Sequence, residues 1–100
     1  MGNNSFSSQY KALVEEKAQL LKTLGQPIRL CVLHQLITDG EKNVGEIISC
    51  MGVNQPNISQ HLSKLRDLGY VETRKDGNQV YYSCNRQDVI SIIKEVMGGN

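Results

Sequence analysis

The sequence predicts a mainly α-helical domain carrying one small β-hairpin, and three observations lead there. Apolar residues recur at helical spacing along most of the chain. Two of the helical segments are separated only by Gly52-Val53-Asn54. Two short runs rich in β-branched and aromatic residues flank Asp76-Gly77, a hairpin turn signal.

Residues 1–9 are polar apart from Phe6 and read as a loose arm, leaving 10–97 as one domain. From Tyr10 to Leu24 the apolar positions Tyr10, Leu13, Val14, Ala18, Leu20, Leu21 and Leu24 form a first helix that Gly25 can end. Pro27 suits the first turn of a second helix carrying Ile28, Leu30, Val32, Leu33, Leu36 and Ile37, broken by Asp39-Gly40. Asn43 with Glu46 makes a capping box for a short third helix containing Val44, Ile47, Ile48 and Met51, closed by Gly52. Asn54 caps a fourth helix with Pro56 in its first turn, and Ile58, Leu62, Leu65 and Leu68 run to Gly69. Strands follow at Tyr70–Arg74 and Val80–Cys84. Asn85, with Asp88 three residues on, caps a fifth helix bearing Val89, Ile90, Ile92, Ile93, Val96 and Met97.

That order, four helices, two strands and a last helix, is a winged helix-turn-helix of five helices and a two-stranded wing. Such a unit places its second paired helix in the DNA major groove, about 12 Å wide. With Ile58, Leu62 and Leu65 turned inward, the fourth helix presents Gln55, Asn57, Ser59, Gln60, Ser63 and Lys64 outward. Asn and Gln pair bidentately with adenine, Ser bonds to base or phosphate, and Lys64 with Arg66 neutralises phosphate. His61, in the same segment, is placed to bond to backbone or DNA. Arg74 and Lys75 before the wing turn, with Asn78 and Gln79 after it, are the expected DNA-backbone contacts.

The net charge is +1 and the pI about 7.7, so any pull on an anionic partner is local. Between positions 54 and 86 five basic side chains face three acidic ones, an excess of two per chain. Roughly six phosphate contacts per dimer, at a slope of about −0.9 each, make binding steeply salt-dependent. Apolar stripes on both terminal helices exceed what one small core consumes. Tyr10, Leu13, Leu20, Val89, Ile92 and Val96 are the expected two-fold interface, offering well above ~10 kcal/mol before association costs. Two recognition helices one turn of DNA apart address an inverted repeat.

Three segments carry a family resemblance: Leu24-Gly25-Gln26-Pro27-Ile28-Arg29-Leu30, then Asn57-Ile58-Ser59-Gln60-His61-Leu62-Ser63-Lys64-Leu65-Arg66, then Gly77-Asn78-Gln79-Val80-Tyr81-Tyr82. Together they resemble the arsenical-repressor (ArsR) family over residues 10–97. The resemblance implies a homodimeric bacterial repressor that leaves its operator when an inducer binds. It also implies operator-reading positions at Gln55, Pro56, Asn57, Ser59, Gln60 and Lys64. Pro56 departs from the small polar residue usual there.

Metal-sensing relatives carry a Cys-x-Cys pair at the start of the third helix or His and acidic ligands in the last. This chain has Asn43-Val44-Gly45-Glu46 and no last-helix His, so no metal and no cofactor is expected. Cys31 and Cys50 fall one step off their apolar stripes and are candidate redox thiols, whereas Cys84 belongs to the core. Thiol-switch relatives keep a cysteine in the last helix, which this chain lacks. The inducer is open on this reading.

An enzyme is excluded by the lack of a phosphate loop, a nucleophile motif or clustered carboxylates with His. The competing readings are a winged-helix protein-interaction module and a thiol-responsive repressor using Cys31 and Cys50. No apolar run approaches the ~18 residues of a membrane span, and cytoplasm is the expected location.

Overall fold

The computed structural model describes residues 7–47, 52 and 55–98. Helix α1 spans Ser8–Leu24, with the Ser7 hydroxyl accepting from the Tyr10 N–H at 3.1 Å. Helix α2 spans Pro27–Asp39, with Pro in its first turn and the Gln26 side chain accepting from the Arg29 N–H. Strand β1 is Lys42–Asn43, followed by a 3-10 turn at Val44–Glu46. Helix α3 spans Gln55–Asp67, strands β2 and β3 span Glu72–Asp76 and Gln79–Ser83, and helix α4 spans Gln87–Val96.

The described residues therefore hold four α-helices and three strands, where the sequence predicts five helices and a two-stranded wing. The difference lies at the expected third helix. The Asn43–Glu46 capping box forms, each side chain bonding the other's backbone N–H at 2.8 and 3.0 Å. It closes only one tight turn, because Ile47 is already extended. The remainder of that segment, with Ile48, Cys50 and Met51, lies outside the described residues, as does the Asn54 cap. Upstream of the box, Lys42 and Asn43 pair with Tyr82 and Tyr81, so the sheet runs β1-β3-β2, all antiparallel.

The wing is a hairpin with Asp76 opposite Gln79, joined by Gly77-Asn78. Gly77 sits at φ +63, the left-handed conformation such a two-residue turn requires. Gly69, at φ +83, ends α3 as the Tyr70 N–H reaches the Leu65 carbonyl at 2.8 Å. The α4 cap also differs from expectation. Arg86 holds the N-cap position without a side-chain capping bond, while the Asn85 amide donates to Glu72 and Ser83 of the sheet.

One core joins all the helices: Leu20 and Leu24 of α1, Val32, Leu33 and Leu36 of α2, Ile58, Leu62 and Leu65 of α3, and Val89 and Ile93 of α4. Tyr70, Val71, Tyr82 and Cys84 close it from the sheet side. The inner face of α3 is thus fixed by three residues with no more than 2% of their surface exposed.

Candidate nucleic-acid interface

Burying positions 58, 62 and 65 sets the rotation of α3 and so decides what it shows to solvent. Pro56, Asn57, Gln60 and Lys64 are exposed, and Ser59, His61 and Ser63 are half-buried along the flanks. Gln55 is the first helical residue, and its side chain lies outside the described set. Lys64 makes no ion pair among the described residues, while Arg66, at the exposed end of the helix, sits 3.4 Å from Asp67. Of the expected reading residues, Pro56, Asn57, Gln60 and Lys64 share one exposed surface of the helix, and Ser59, His61 and Ser63 lie at its edges.

His61 differs from its neighbours. Its pKa is held below the ordinary 6.5, first by burial and then by the nearby positive charge of Arg29, which leaves the imidazole neutral at pH 7.

In the wing, the four expected backbone contacts divide. Lys75 and Asn78 are exposed at the hairpin end. Arg74 instead grips Glu41 with two hydrogen bonds of 3.0 and 2.8 Å, and its guanidinium lies 4.8 Å over the Tyr81 ring. The guanidinium holds the Glu41 carboxyl below the usual range, and Glu41 in turn raises the Arg74 pKa. Gln79 accepts from the Asn43 amide at 3.2 Å, tying the wing to β1. Counting Glu41 reduces the local positive excess from two to one per chain. Nothing in the local sequence signals this pairing, because Glu41 is 33 residues from Arg74.

The expected interface residues also divide. Leu20 and Val89, exposed by 2% and 0%, pack inside the chain's own core and have no surface left to give a partner. Ile92 packs partly against that core. Tyr10, Leu13 and Val96 are exposed, and Val14, Leu21 and Met97, not singled out from sequence, join them. From Ser8 to Gln19 every residue of α1 except Lys17 is exposed.

Of the cysteines, Cys31 is disulfide-bonded and Cys84 is free, buried and pushed to a higher thiol pKa by that burial. Cys50 lies outside the described residues. Among the described residues no three or more His, Cys, Asp or Glu side chains are grouped to hold a metal ion. No described helix is long and apolar enough to cross a membrane.

An exposed polar helix packed on the shared core, with a flanking hairpin, is the arrangement of the winged helix-turn-helix class. Comparison with known proteins then narrows the class. A family model for bacterial regulatory proteins of the arsR family matches residues 26–73. The chain is 46% identical over 78 residues to a biofilm growth-associated repressor of Xylella fastidiosa, covering 78% of this chain and 68% of that one. It is 37% identical over 86 residues to the transcriptional repressor PagR of Bacillus anthracis, covering 86% and 85%. Among solved structures it superposes with a TM-score of 0.76 and 31% identity on Mb0332 of Mycobacterium bovis, covering 94% and 86%. That protein is described as a homodimeric winged helix-turn-helix DNA-binding domain. The chain belongs to the arsR family of bacterial regulatory proteins, and its matched relatives are named as transcriptional repressors and regulators.

Proposed function

We propose that this protein is a dimeric transcriptional repressor, acting in the cytoplasm, that binds an inverted-repeat DNA operator through α3 and the wing. The observation that carries the reading is the exposed face of α3, where amide and hydroxyl side chains surround Lys64, which has no ion pair among the described residues, above a buried inner stripe. Asn57 and Gln60, with Ser59, His61 and Ser63 along the flanks and Gln55 and Pro56 in the first turn, address base edges. Lys64, Arg66, Lys75 and Asn78 address phosphate, and Arg74 and Gln79 orient the wing.

The dimer is supported by α1. About twelve residues of an amphipathic helix standing off the core are marginal alone in water. A second copy laid along Tyr10, Leu13, Val14, Leu21, Ile92 and Val96 would cover that stripe. The homodimeric relative from Mycobacterium bovis follows the same architecture.

Replacing Asn57, Ser59 and Gln60 together with Ala tests the reading. Each bidentate base contact is worth about 1–3 kcal/mol, so operator retention in a mobility shift falls by at least tenfold while the dimer persists in sedimentation. Unaltered DNA retention in a folded triple variant would favour the protein-interaction reading instead.

A thiol-responsive repressor is favoured by one further observation, that Cys31 is disulfide-bonded while Cys84 is free. We infer that Cys31 acts in such a switch together with Cys50, the other candidate redox thiol of the sequence. Hydrogen peroxide would oxidise the two thiols to the disulfide, taking their two protons and two electrons and leaving as two waters. DNA affinity measured with dithiothreitol and after peroxide treatment decides this reading; equal affinities end it.

A further inference from the structure

A cleft of about 590 Å³ opens between the end of α2, the end of β3 and one face of α4. Its floor is apolar: Leu36 and Cys84 are buried, and Ile37 and Ile90 are half-buried beside them. Burial raises the Cys84 thiol above its ordinary pKa, so the floor carries no charge at pH 7. Two charged side chains stand at the rim, Glu41 and Lys94, and they differ in what they have left to offer. Both Glu41 carboxylate oxygens already accept from the Arg74 guanidinium, at 2.8 and 3.0 Å. Lys94 is exposed and makes no ion pair among the described residues. The uncompensated charge of the cleft is therefore positive, and the exposed Gln87 adds an amide beside it.

On α4, Gln87, Ile90 and Lys94 follow one another at three and four residues and share one face. Ile92 and Val96, of the stripe offered to a second copy, lie two residues beyond Ile90 and Lys94, about 200° round the helix axis. The cleft thus faces away from that stripe, and pairing of two chains leaves it open. It also lies apart from α3 and the wing turn, none of whose residues line it. An apolar floor of this volume with a few polar groups at its rim has the make-up of a small-molecule site.

We propose that this cleft is a binding site for a small organic anion with an apolar body, such as a medium-chain carboxylate, held by the Lys94 ammonium and the Gln87 amide over Leu36, Ile37 and Ile90. The inference goes beyond the DNA-binding reading and does not depend on it. A cationic head would be repelled by Lys94 and would find Glu41 already engaged. A head without an apolar body would leave the floor in water. Because Glu41 is both part of the rim and the partner of Arg74, the site adjoins the root of the wing.

The test titrates the full-length protein with hexanoate, acetate, hexylamine and 1-hexanol at constant ionic strength, following the isoleucine methyl resonances. Hexanoate should shift the Ile37 and Ile90 signals to saturation. It should bind about tenfold or more tighter than acetate, which lacks four methylenes, and severalfold tighter than hexylamine or 1-hexanol. Lys94→Gln should weaken hexanoate severalfold, and Lys94→Arg should restore it. Lys22→Gln, an exposed lysine of α1 outside the cleft, should leave it unchanged. Absence of a saturable shift at Ile37 and Ile90 overturns the site. Hexylamine binding as tightly as hexanoate overturns the ligand class, and wild-type affinity in Lys94→Gln overturns the anchor. Should Lys94→Gln not fold, the four probes on the wild-type protein still decide.

Discussion

The Asp88 carboxylate takes the Arg86 guanidinium on both oxygens, at 3.1 and 2.7 Å, and accepts the Val89 N–H at 2.8 Å. Lys17 of α1 lies 3.6 Å away. Arg86 above all, with the Val89 N–H and Lys17, holds the Asp88 carboxyl down from its ordinary 3.8 to about 2. A carboxyl whose folded pKa is depressed stabilises the fold above its unfolded value and loses that contribution as pH falls through the folded one. Asp88→Asn should therefore lower the Tm at pH 7, by about 4 °C or less because the side chain is a third exposed and screened. The gap between variant and wild type should narrow between about pH 4 and pH 2. Thermal melts followed by circular dichroism at pH 7 and pH 2 check this; an equal gap at both would contradict it. The same scale shows how far sequence reasoning reached. Polar identity and helical spacing were enough to put Asn57, Gln60 and Lys64 on one outward face, because three buried neighbours fix the rotation of α3. The Glu41–Arg74 pair joins residues distant in sequence, and no local pattern announces it.

At the scale of elements, the wing is anchored where the sequence suggested only an exposed loop. Glu41, between α2 and β1, holds Arg74 of β2 across the intervening strand β3, so an exposed ion pair adds to the β1–β3 pairing that ties the hairpin to the end of α2. Glu41→Gln removes one negative charge per chain and releases Arg74. Binding to DNA at 50 mM salt should tighten severalfold and its salt dependence should steepen. A weaker complex would mean that wing orientation outweighs the freed cation. The hairpin itself was legible because Asp76-Gly77 and the β-branched runs are local signals. Strand β1 was not, since two residues acquire their character only from pairing with Tyr81 and Tyr82. The expected third helix was over-read for a related reason. A capping box marks a helical start but carries no information about length, and here Ile47 turns extended after one 3-10 turn.

For the whole molecule, the decisive feature is how little of α1 the chain buries for itself. Leu13 is 48% exposed and Val96 63%, whereas Leu20 and Val89 are consumed by the core. The sequence showed two apolar stripes but could not say which residues each stripe gives to its own chain, because that depends on where α1 leaves the core. Leu13→Asp with Val96→Asp should convert a dimer to single chains in analytical ultracentrifugation at micromolar concentration while the melting transition remains cooperative. Leu20→Asp, by contrast, should prevent folding, since it places a charge inside the core. The measurement that bears most directly on DNA recognition by a paired molecule is selection of bound fragments from random duplex DNA, followed by sequencing. The account predicts enrichment of a two-fold symmetric site whose half-site centres lie about one helical turn, roughly 34–36 Å, apart. Recovery of sequences no different from the starting pool, at low salt and with the wild-type protein, would contradict it.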